Sequence, residues 1–84
     1  MDEQKTTKPT LNIGQLIKDE LERQERSVSW FARKLYCDRS NVYKIFKRST
    51  IDTELLIRIS GILNHDFFSD YVSIVTDNMK QQAE

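Results

Sequence analysis

The chain is poor in the residues that break or staple a fold, with two glycines, one proline and one cysteine in 84 residues. With Cys37 alone, neither an intrachain disulfide framework nor a multi-cysteine zinc site can form, and the chemistry suits a reducing compartment. So few glycines and prolines argue against an all-β sandwich with its many turns and against collagen-like repeats. No run approaches the ~18 apolar residues that span a bilayer. The N-terminal "MDEQKTTKPT" lacks the apolar core of a signal peptide, so a cytoplasmic protein without membrane contact is expected. There is no glycine-rich loop to cradle a phosphate, and the single histidine, His65, beside Asp66, has no ligand cluster to join. No catalytic residue, metal, cofactor or small-molecule ligand is expected, and the chain is read as a non-enzyme.

Net charge is absent too, but only as a total. Residues 1–26 hold five basic and six acidic side chains, residues 27–50 six basic and one acidic, and residues 51–84 two basic and six acidic. A surface that faces phosphates has this form, and so does a solvated helix face; a general polycation would be basic throughout. At 38% hydrophobic and 31% charged, the composition suits one small helical domain. A core of that size supplies only roughly 3–5 kcal/mol, which oligomerisation would raise.

Periodicity divides the chain into an aperiodic leader over residues 1–10, a domain over 11–76 and a tail over 77–84 with no apolar face, expected to fray. Ile13, Leu16, Ile17 and Leu21 recur at helical spacing and predict a first helix over about 12–24. Ser27 is a good cap for a second, over 28–36, with Val28, Phe31, Ala32 and Leu35 inward. Asp38 is the next cap, and a third helix over 39–48 follows: Val42, Ile45 and Phe46 share one face, with Ser40, Lys44, Lys47 and Arg48 opposite and Asn41 and Tyr43 on the flanks. Ile51 and Asp52 introduce a fourth helix carrying Leu55, Leu56, Ile59, Ile62 and Leu63 and stopping near Asn64. Gly61 inside it is expected to permit a close helix approach. The stretch "HDFFSDYVSIV" predicts either a fifth helix capped by Asp66 or a short strand over 72–76. The fold class is thus an all-α bundle of four to five helices.

Two short helices joined by a tight turn, the second with an outward basic face, define a helix-turn-helix. The segment "SVSWFARKLYCDRSNVYKIFKR" resembles that of the Cro/phage-repressor (XRE-like) family of bacterial DNA-binding proteins. Ile51 to Asn64 resembles the family's following helix, so the likeness covers roughly residues 11–66. Its anchors are Ala32 at the helix crossing, Val42 and Ile45 on the buried side and Asp38 at the cap. The resemblance implies a lambda-repressor-like bundle, double-stranded DNA as partner, the third helix in the major groove, transcriptional regulation and a homodimer.

It also implies base contacts from Arg39, Ser40 and Lys44, with a preference for G·C where Arg or Lys meets guanine. Asn41 either reads adenine or bonds within the turn. Tyr43, Lys47 and Arg48 would hold the phosphate backbone. Val28 stands where many members carry a phosphate-binding Gln, leaving that contact to Ser27, Ser29 or their amides. Tyr36 stands where the family usually has Gly, so a bulky residue is either held at positive φ or shifts the turn. Trp30 either fills the core edge or points its indole N–H at a phosphate; Cys37 is expected as a buried structural thiol. Tyr71, Val72 and Val75 are the candidates for the dimer contact, while Phe67 and Phe68 either join them or close the core against Leu11, Ile13 and Leu16. The alternative is a protein-interaction module on the same fold, antitoxin-like or an adaptor, as the zero net charge, Val28 and the acidic last third permit.

Overall fold

The computed structural model describes residues 11–82, so the expected leader lies outside the described residues. The chain is all-α: α1 (Ile13–Arg23), α2 (Val28–Leu35), α3 (Arg39–Phe46), α4 (Thr53–Leu63) and α5 (Phe67–Gln82), with no strand among the described residues. No helix among them is long and apolar enough to cross a membrane.

Local chemistry sets most boundaries. Ser27 Oγ accepts a hydrogen bond from the Trp30 amide at 3.0 Å, and Asp52 Oδ1 accepts from the Leu55 amide at 2.8 Å. Asp66 Oδ1 accepts from the Phe68 and Ser69 amides at 3.0 and 3.3 Å, which starts α5 and selects it over a strand at 72–76. Asp38 occupies the cap position of α3 with extended backbone, φ −81° and ψ 158°, but without the expected side-chain bond. Its contribution is limited to an anion at the positive end of the helix dipole. At the other ends, α4 stops at Asn64 with φ 52° and α2 at Tyr36 with φ 58°. The tyrosine adopts the left-handed conformation that glycine adopts freely, and the Cys37 amide closes the turn by donating to the Ala32 carbonyl at 3.0 Å.

Ile13, Ile17, Phe31, Val42, Leu56, Ile59, Leu63 and Phe67 are fully buried together. Ala32 is buried at the α2–α3 crossing. The closest partners of α3 are α2 and α1. Gly14 is the reason. A Cβ there would overlap the carbonyl oxygens of Ile45 and Phe46, and the Gly14 amide donates to the Arg48 carbonyl at 2.9 Å. α3 ends at Phe46 and not at 48, with the Lys47 and Arg48 amides turning back to the Lys44 and Ile45 carbonyls at 3.1 and 3.0 Å. Gly61, expected at a close approach, is exposed, with nothing within 4 Å of where its Cβ would lie.

The end of α1 is tied to the end of α4. Glu20 is buried and pairs with Arg23, while Gln24 Nε2 donates to Glu20 at 2.7 Å and to the Leu63 carbonyl at 2.6 Å. The Arg23 hydrogen bonds hold the Glu20 carboxyl down at about 2, against the opposing effect of burial. His65 is likewise structural: its Nε2 lies 3.2 Å from Asp70 Oδ2 and its ring 4.5 Å, edge-on, from Phe67.

Phe67 closes the core, and Phe68 and Tyr71 are half-buried against it. Beyond them α5 runs on through residues 77–82, where the sequence pattern suggested a frayed tail, and exposes Val72, Val75 and Met79.

Candidate nucleic-acid interface

The back of α3 is apolar and fixed. Val42 is fully buried, Ile45 nearly so and Phe46 half-buried, and the spacing of three and four leaves the opposite side of the helix to solvent. Arg39, Ser40, Asn41, Tyr43, Lys44, Lys47 and Arg48 are all exposed. Arg39 opens the helix, Ser40, Lys44 and Lys47 line the middle of the outer face, and Asn41 and Arg48 lie toward α4. Tyr43 stands on the other flank, its ring meeting Phe46 edge-on at a centroid distance of 6.1 Å. Among the described residues no carboxylate forms an ion pair with Arg39, Lys44, Lys47 or Arg48, Asp38 included. Lys47 caps α3, where the dipole favours a cation. A short rod with two cations, a phenol, a hydroxyl and an amide on its open side, and two more cations just past its end, can bond phosphate oxygens and present donors to base edges.

At the N-terminus of α2, Ser27 uses its oxygen lone pair as the cap, which leaves its O–H able to donate. Ser29 is half-buried. Of its two alternatives Trp30 takes the core edge, against which it packs, while the Arg26 guanidinium covers its ring at 4.4 Å and the Lys34 ammonium approaches to 5.8 Å. Cys37 is half-buried, where a fully buried thiol was expected, because it lines a groove between α3 and α4.

No pattern of residue types pointed to that groove. Its volume is about 300 Å³; Leu35, Ile45 and Leu55 form its apolar floor, and Lys44, Arg48 and Arg58 bring cations to it. Arg58 belongs to the acidic last third, so segment charge hid it. Its Nη2 donates to the Leu35 carbonyl at 3.1 Å, which fixes the guanidinium against the C-terminus of α2, beside the basic face of α3.

The dimer candidates separate. Val72 and Val75 are exposed, while Tyr71 is half-buried, and desolvation raises the pKa of its phenol. Comparison with family models, curated proteins and solved structures found no match to this chain.

Proposed function

We propose that the protein binds double-stranded DNA with sequence preference, placing α3 in the major groove, and that it regulates transcription without catalysing a reaction. The observation that carries this reading is the outer face of α3: Arg39, Ser40, Asn41, Lys44 and Lys47 open to solvent, no described carboxylate paired with its cations, and a back held down by Val42 and Ile45. An α-helix fits the major groove, and a short, firmly seated one can hold register on phosphates while its first turns meet base edges. Arg39 and Lys44 are assigned to guanine, Ser40 and Asn41 to neighbouring edges, and Tyr43, Lys47, Arg48, Ser27 and Ser29 to the backbone. One such module makes a small interface, so pairing of two chains on adjacent half-sites, through Val72 and Val75 of α5, belongs to the same proposal.

The test is selection from a random duplex library, then titration of the enriched duplex with wild type, Lys44→Ala and Lys47→Ala. Enrichment of a defined site, with both variants weakened at unchanged melting temperature, supports the reading. Failure to enrich, or affinity untouched by either change, overturns it. The second reading is a protein-interaction module, favoured by the apolar residues that α5 exposes, Val72, Val75 and Met79; it predicts no enrichment from the library.

A further inference from the structure

We propose that the groove between α3 and α4 binds a small amphipathic organic anion, an apolar body with one negatively charged head group, and that its occupancy excludes DNA from α3. The binding claim stands on the groove alone; the exclusion rests on the function proposed above.

The floor supplied by Leu35, Ile45 and Leu55 offers apolar surface to a ligand body, and about 300 Å³ is at the lower end of small-molecule sites. The charges determine which ligand. Lys44, Arg48 and Arg58 line the groove and no carboxylate does, so a neutral or cationic ligand would leave three cations crowded together without a counter-charge. Arg58 is held in place by a hydrogen bond. One of its five N–H donors is committed to the Leu35 carbonyl, which orients a planar guanidinium and leaves donors for a carboxylate, sulfonate or phosphate ester. Asn41 supplies a further amide at the same groove. A bare inorganic anion would use the cations and waste the floor, which separates this site from a simple phosphate contact.

Asn41, Lys44 and Arg48 belong both to this groove and to the DNA-facing side of α3. A ligand held there covers three of the assigned DNA contacts and neutralises part of their charge. Ligand and duplex therefore compete.

Anilinonaphthalene sulfonate, which brightens on leaving water, serves as the probe. It is titrated into the full-length chain, with melting temperature monitored. Expected are saturation at one site per chain, roughly fivefold weaker binding in Arg58→Ala, and weaker binding in Asn41→Asp, which adds a carboxylate without changing shape. Excess sulfate at matched ionic strength should displace little of the probe. No saturable signal, binding unchanged in both variants, a signal abolished by Val75→Ser, or ready displacement by sulfate overturns the proposal. In the second arm, duplex that binds the chain should release the probe; duplex and probe bound together overturn the exclusion. A chain that binds no duplex sinks the DNA reading and leaves the groove to be judged by the first arm.

Discussion

Gly14 and Tyr36 illustrate opposite uses of backbone at the scale of a single residue. Gly14 lies where α1 meets the end of α3 so closely that a methyl group would overlap two carbonyl oxygens. Gly14→Ala should destabilise by about 2 kcal/mol and lower the melting temperature by about 10 °C; a loss under a degree would show that α1 can move aside. Tyr36 is 91% exposed and held at φ 58°, so its side chain returns little for the strain. Tyr36→Gly should stabilise by about 1 kcal/mol, seen as a higher midpoint in urea. Glu20 makes the third case. Its folded pKa, about 2, lies below the ordinary 4.5, so its contribution is complete above about 4.5 and fades as pH falls toward 2. Because Arg23 is 68% exposed, screening holds that contribution to on the order of 1–2 kcal/mol. Unfolding at pH 3 and pH 6 should differ less in Glu20→Gln than in wild type, where the drop includes this carboxylate.

The elements themselves were largely readable in the sequence, and the reasons are local. Ser27, Asp52 and Asp66 cap α2, α4 and α5 with side-chain bonds, and Asn64 ends α4 in the conformation asparagine tolerates. The end of α3 was not readable, because its last turn lies against α1 at Gly14, a contact between segments remote in the chain. The same holds for the continuation of α5 past Val75, where the side chains show no stripe that a packed helix would need. The outer face of α3 carries the element-scale prediction. With four to six cations on phosphates, log affinity should fall against log salt with a slope of about −3 to −5. Lys47→Ala should reduce that slope by about one unit and weaken all duplexes alike, whereas Lys44→Ala should also relax the choice of base. Salt titrations on the selected site and on a scrambled duplex distinguish the two.

For the whole molecule the open matter is what α5 meets. Its first turn closes the core through Phe67, yet Val72, Val75 and Met79 are 59, 52 and 65% exposed farther along the helix. Covering these side chains would remove apolar surface from water, so a second copy against this stripe would stabilise the pair. Val75→Asp should lower the sedimenting mass to that of one chain and weaken binding to a two-half-site duplex more than to a single half-site; an unchanged mass would remove α5 from the dimer proposal. The groove beside α3 is the other feature of this scale, since its cations come from α3, from Arg48 past its cap, and from α4.

By itself the sequence determined the helices and which side of each is apolar, because capping and three-and-four spacing act over a few neighbouring residues. It also located the surplus of positive charge on the third helix. Tertiary structure alone decided that α3 sits on α1 through Gly14, that Glu20 is buried between Arg23 and Gln24, and that Arg58 joins Lys44 and Arg48 around one groove. Each of these depends on distances between segments remote in the chain, and no local pattern of residue types specifies such distances.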